Sequence, residues 1–254
     1  MESVADLADS RAATNVLLGD LREAHLAPAA VVRFLGRAAR RSLRQAARRP
    51  SALAELTALH GVLYALAAGR RPGPRWVAAS WVLAASHLGL LERRTRLTAA
   101  DVLTLLRGNI PALPGGAGRA CGMLAIGLDL ADGRLARHQG TTSPFGDYAD
   151  TFADAAFWMW LTLRHEPSRT VRAAAITAWV LPIVTVTGLA LRRGAMPERL
   201  RPVLLRPAAA LQAVVALRHL TRRRPASVTA GCLPTSPAPA CPPPVRPART
   251  PRGP

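Results

Sequence analysis

Apolar residues gather into a succession of segments separated by arginine- or glycine-bearing breaks. Residues 53–68 form the first segment, interrupted by Glu55 and His60. Residues 76–91 carry no formal charge, and Arg70, Arg71 and Arg75 stand between the two. Residues 97–113 contain Asp101 and Arg107. Residues 120–128 are short and follow Gly115, Gly116 and Gly118. Residues 149–163 are apolar apart from Asp150 and Asp154. Residues 173–191 are the strongest, 19 positions without a charge, and residues 204–217 contain Arg206 and Pro207. Two-residue alternation is scarce, so the ordered chain reads as helix throughout. A membrane-crossing helix needs roughly 20 apolar residues, which only 173–191 meets comfortably. Two architectures remain open on this pattern. One is a soluble helical protein with Ala-rich core helices. The other, favoured by the hydropathy, is a membrane bundle whose helices carry functional polar groups.

The two ends differ from this middle. Residues 1–50 are polar and Arg-rich and lack the short apolar core of a signal peptide. Within them, 29–49 interleaves Val31, Val32, Phe34, Leu35 and Leu43 with Arg33, Arg37, Arg40, Arg41 and Arg44. That pattern suits a basic amphipathic helix on a membrane surface, or a solvated helix. From Arg222 onward the chain is Arg- and Pro-rich to Pro254, a composition that cannot bury a core, and disorder is expected there.

Charge adds exclusions. The chain has 254 residues and a formal charge of +19, from 34 basic and 15 acidic residues. Every basic residue is arginine, which excludes a lysine Schiff base, a P-loop lysine and a protein-kinase lysine. Three cysteines make neither a disulfide framework nor a four-cysteine zinc site. The basic excess fits attraction to phosphates or an anionic membrane. It also fits a composition biased generally toward Ala, Arg, Gly and Pro. Aromatic residues are only 4% of the chain, too few for stacking platforms, so no nucleic-acid partner is expected.

The acidic residues are few but clustered: of nine aspartates, five fall between Asp129 and Asp154. Asp129 and Asp132 are three apart and share a helix face, which Gly133 and Arg137 continue. Gly146, Asp150 and Asp154 follow at four-residue steps on the next helix. Between them, Gly140, Thr141, Thr142, Ser143 and Pro144 suit a turn. Two antiparallel helices joined this way point four carboxylates at one place. Crowded carboxylates take up protons or bind cations, and an all-oxygen ligand set suits Mg2+ or Mn2+. Four are enough to bridge two such ions, the arrangement that stabilises both oxygens of a phosphoryl displacement. Gly133 and Gly146 let a ligand approach the backbone, and Arg137 could fork onto a phosphate. The flanks Leu124, Ile126 and Leu128, and Phe157, Trp158, Met159 and Trp160, are poor neighbours for a merely solvated acidic face.

The run Asp129-x-x-Asp132-Gly133-x-x-Ala136-Arg137, eight residues, Gly146-x-x-x-Asp150-x-x-x-Asp154 resembles the signature of the CDP-alcohol phosphatidyltransferase family at every fixed position. The resemblance implies an all-α, multi-pass transmembrane bundle of about six to seven spans, in the cell membrane, with its active site on the cytoplasmic side. It implies two Mg2+ or Mn2+ ions held by Asp129, Asp132, Asp150 and Asp154, with Asp154 also as general base. Gly133, Ala136, Arg137 and Gly146 would line the site for the CDP moiety. The reaction would move a substituted phosphate, phosphatidyl in phospholipid biosynthesis, from a CDP-linked lipid donor to an alcohol acceptor and release CMP. Membrane lipids and a second copy of the chain, as a homodimer, are the implied partners. The corresponding organisation is a basic interfacial segment at 1–50, a hydrophobic helical pair at 51–96, the core at 97–221 and a disordered tail at 222–254. Thr104-Leu-Leu-Arg107 resembles the opening of the family core, where Asp101 stands in place of a frequent Asn. Thr104 and Arg107 would touch substrate or fix the helix at the interface. Ala155 follows the last Asp where many glycerol- and inositol-phosphate lipid synthases carry a basic residue. A magnesium-dependent prenyltransferase and a non-catalytic membrane anchor are the alternatives.

Overall fold

A computed structural model describes residues 9–196 and 206–221. The tail expected from residue 222 lies outside them. Among the described residues there is no strand, and α-helices account for nearly all regular structure. Two of them precede the apolar segments: α1 (Ser10–Glu23) and α2 (Pro28–Ala47). The helical pair follows as α3 (Pro50–Leu66) and α4 (Gly73–Ser86), extended by a 3-10 turn at Leu88–Leu91. Next come α5 (Ala99–Asn109), α6 (Cys121–His138), α7 (Pro144–His165), α8 (Arg169–Arg193) and α9 (Arg206–Thr221).

Helix starts follow local chemistry. Asp9, Thr98, Ser143 and Ser168 cap α1, α5, α7 and α8, each through a side-chain oxygen that accepts a first-turn N–H. Prolines Pro28, Pro50 and Pro144 open α2, α3 and α7, where the missing N–H costs nothing. Gly194 closes α8 in the left-handed conformation.

Helix α5 is the centre of the arrangement, packed against both α6 and α7. One apolar cluster joins Leu56, Leu88, Leu91, Leu105 and Phe145 across α3, the 3-10 turn, α5 and α7. A second joins Ile110, Cys121, Phe157, Leu161 and Val215 across α6, α7 and α9. Trp158 is buried in this second cluster. Two glycines set the spacing. A Cβ on Gly108 would lie 3.2 Å from the Cβ of Ala153, so α5 rides close on α7. A Cβ on Gly122 would lie 2.9 Å from that of Ala216, so α6 and α9 nearly touch. Between α3, α4 and α5, buried His60 sits in a polar chain. Its Nδ1 donates to the Leu56 carbonyl at 2.9 Å. Its Nε2 takes the Ser80 hydroxyl at 3.1 Å, and Ser80 Oγ accepts from Asn109 Nδ2 at 2.9 Å.

Among the described residues, one helix, Arg169–Arg193, is long and apolar enough to cross a membrane by itself. Its middle is exposed apolar surface: Val180, Leu181, Ile183 and Val184.

Candidate active site

The turn at residues 139–143 returns the chain on itself, so the C-terminal half of α6 faces the N-terminal half of α7. Asp129 and Asp132 project from the first and Asp150 and Asp154 from the second. Asp129, Asp132 and Asp150 each offer one carboxylate oxygen, and those atoms all lie within 4.8 Å of one another. Oxygen ligands of a hard cation sit at roughly 2.0–2.6 Å, so two on one ion are at most about 5 Å apart. The spread and the all-oxygen donor set therefore fit a divalent cation.

The positive charge that the chain itself supplies comes from α5. Arg107 is fully buried, and its guanidinium lies among all four carboxylates. Nη1 pairs with Asp129 and lies 3.7 Å from Asp132. Nη2 lies 2.5 Å from Asp150 and 3.3 Å from Asp154. The close α5–α7 approach at Gly108 is what brings Arg107 to the second pair. Thr104, one turn earlier on α5, donates its hydroxyl to Asp132 Oδ2 at 2.7 Å. Thr104 and Arg107 thus both stand against the carboxylates. One guanidinium against four aspartates leaves an excess of negative charge when all are ionised. That excess is what a divalent cation answers.

The four carboxylates are not equivalent. Asp132 is nearly enclosed, whereas Asp129 and Asp150 are about half exposed, with side-chain exposures of 44% and 47%. Asp154 stands deeper along α7, outside the close trio, and accepts a long 3.5 Å hydrogen bond from Gln212 of α9. Gln212 belongs to this site, although nothing in the sequence pattern marks it.

The remaining sequence candidates fall around the cluster. Gly133 and Arg137 continue the Asp129 stripe of α6. Arg137 is exposed, makes no hydrogen bond or ion pair among the described residues, and lays its guanidinium beside Gly133, 3.2 Å from where a Cβ would be. Ala136 is half-buried one turn beyond Asp132. Gly146 lies one turn before Asp150, and its N–H donates to the capping Ser143 Oγ at 3.1 Å. His138 is exposed at the end of α6.

Asp101 has structural work. It completes a reciprocal cap with Thr98 and takes Arg94 at 3.0 Å. Arg94 also reaches Ser143, so one arginine ties the start of α5 to the start of α7. At the other end of α7, buried Glu166 forms a two-pronged pair with Arg218 of α9, at 3.0 and 3.1 Å. This clamp holds α9, and with it Gln212, in place.

Residues 97–221 match the family model described as CDP-alcohol phosphatidyltransferase. No curated protein and no solved structure matches the chain. That family comprises divalent-metal-dependent integral membrane transferases, which move a phosphate-containing group from a CDP-alcohol.

Proposed function

Residues 97–221 belong to the CDP-alcohol phosphatidyltransferase family, and from that premise we propose that this chain transfers a phosphatidyl group from a CDP-linked lipid to an alcohol. The observation that carries the proposal is the single buried arginine set among four carboxylates of the α6–α7 hairpin. A hydrocarbon-flanked cluster of that charge has little structural value without a cationic ligand.

In this reading Asp129, Asp132 and Asp150 hold the metal, with Asp154 sharing a second ion. When bound, the divalent cations neutralise the pyrophosphate and favour departure of CMP. Arg137, uncommitted beside Gly133, forks onto a phosphate of the CDP moiety, and Ala136 and Gly146 keep the approach to the backbone low. Asp154 takes the proton of the acceptor hydroxyl. The hydroxyl oxygen then bonds to the lipid-bearing phosphorus, and the bond from that phosphorus to the CMP oxygen breaks. Gln212 and Arg107 fix the orientation of Asp154 from two sides.

The setting we propose is a multi-pass bundle in the cell membrane, with α8 the clearest span and the half-length α5 embedded among the other apolar helices. The basic segment at 1–50 lies at the cytoplasmic surface. Supporting this, α2 exposes Val32, Leu35 and Leu43 between its arginines. The start of α5, the end of α6 and the start of α7 form one end of the bundle, where Arg94 joins Asp101 to Ser143.

The test is CMP release by purified protein in liposomes with Mg2+, CDP-diacylglycerol and a panel of alcohols, beside Asp154→Asn. Acceptor-dependent CMP release by the native chain, abolished in a folded Asp154→Asn protein, is the expected result. Release that persists in the variant would remove Asp154 from the mechanism. No release from any pairing would remove the phosphatidyl donor.

A further inference from the structure

A cavity of about 570 Å³ opens at the same end of the bundle, and none of the four clustered aspartates lines it. Its walls are the end of α2 and the connection between the 3-10 turn and α5: Arg48, Arg49, Glu92, Arg93 and Arg94, with Asp9 at the rim. Four arginines thus face two carboxylates.

The local backbone is built to gather these cations. Arg49 donates from Nη1 to Gln45 Oε1 at 2.6 Å and from Nη2 to the Glu92 carbonyl at 2.9 Å. Glu92 itself sits at φ 52°, a conformation that residues with a Cβ rarely adopt. The turn it makes sets Arg93 and Arg94 side by side, opposite Arg48 and Arg49. Arg93 is exposed and makes no hydrogen bond or ion pair among the described residues. Arg94 spends its two terminal nitrogens on Asp101 and Ser143, while its Nε is buried without a partner. Burial, and then the neighbouring Arg48, pushes the Arg49 guanidinium below the ordinary arginine range. Arg41 behind it is pushed the same way, by burial, Arg49 and Arg48. Glu92 opposes this shift at Arg49 and Asp9 opposes it at Arg41, and the guanidinium groups stay gathered around an open space.

We propose that this cavity binds a phosphate group, as a phosphomonoester or phosphodiester. Planar guanidinium forks match phosphate oxygens. Two sources share that chemistry: a phosphorylated small molecule in water, and the headgroup of an anionic phospholipid. Arg94 is the link to the rest of the protein. The ligand's neighbour on one side is the arginine that ties the start of α5 to the cap of α7, two turns from Asp150. The arginine cavity is sufficient for such binding, with or without the transferase reaction.

The test is binding by the purified full chain in a nonionic detergent, with two probes used separately: inorganic phosphate, and short-chain phosphatidylglycerol. Arg93→Ala weakens binding about 10-fold, and Arg48→Ala with Arg93→Ala about 100-fold, the loss expected for charged hydrogen bonds. Arg169→Ala, exposed at the start of α8, binds as the native chain does. So does Asp154→Asn, which separates this site from the carboxylate cluster. Binding of phosphate alone identifies a soluble ligand, and binding of the lipid alone identifies a headgroup; either supports the site. Native protein that binds neither probe overturns the proposal. So does unchanged affinity in Arg93→Ala, whose exposed side chain is not needed for folding.

Discussion

Replacing Arg107 by Met tests the electrostatic design of the carboxylate cluster without reference to turnover. Met retains much of the length and fills the buried space, but removes the only cation among the described residues that pairs with the four aspartates. Carboxylate oxygens no more than 4.8 Å apart repel by about 3.5 kcal/mol or more at an effective dielectric constant of about 20. The half-exposed Asp129 and Asp150 feel less, because water screens them. Breaking a buried ion pair from one side costs about 3–5 kcal/mol. For a chain of this size that is a fall in Tm of about 6–20 °C. The assay is thermal unfolding by circular dichroism in detergent, first with EDTA and then with millimolar MgCl2. With EDTA the variant melts well below the native chain. Mg2+ raises the Tm of both, and raises the variant's more, since the cation then supplies charge that Arg107 no longer does. A variant as stable as native protein in EDTA would refute the reasoning. A smaller Mg2+ shift in the variant than in the native chain would also refute it.

Two further outcomes test the packing that presents the site. Gly122→Val drives a side chain into Ala216 of α9 and costs about 1–3 kcal/mol by overpacking; adding Ala216→Gly recovers part of the loss, as a double-mutant cycle on Tm will register. Ser80→Ala strands His60 Nε2 and one Asn109 N–H in a buried chain and lowers stability by about 1–3 kcal/mol, read from the same melts.

Most of the helices are legible in the sequence because each is a local matter; α1 (Ser10–Glu23) is not, since its mixed polar stretch carries no clear apolar run. The apolar segments from residues 53, 76, 97, 120, 149 and 173 each lie in or against a helix. The Asp spacing of three and four is enough to put the carboxylates on facing stripes. What the pattern does not contain is pairing across the chain. Arg107 meets Asp129, 22 positions away, and Asp150, 43 away. Gln212 meets Asp154 across 58, and Glu166 meets Arg218 across 52. Helical periodicity says which residues of one helix share a face, and nothing about which residue of another helix answers them. Asp101 shows a different limit. Beside Thr104 and Arg107 it reads as a substituted site residue, but Thr98-x-x-Asp101 is a capping box that sequence alone could have offered. Gly108 and Gly122 carry no signal, because their value lies in the neighbour that a Cβ would strike.

Helix α5 is 11 residues long, about 16 Å at 1.5 Å per residue, roughly half the hydrocarbon thickness of a bilayer. It carries Arg107 and ends in the buried 3-10 turn Ile110–Ala112. Such a segment cannot partition into lipid alone, because its charge and its unpaired end groups would meet hydrocarbon. In the proposed membrane setting α5 is held by protein on both sides, by α6 and by α7, with aspartates of each beside Arg107 and Ala153 against Gly108. The half-length helix that carries Arg107 is thus also the common partner of the two acidic helices, and without it α6 and α7 lose the element that both pack against.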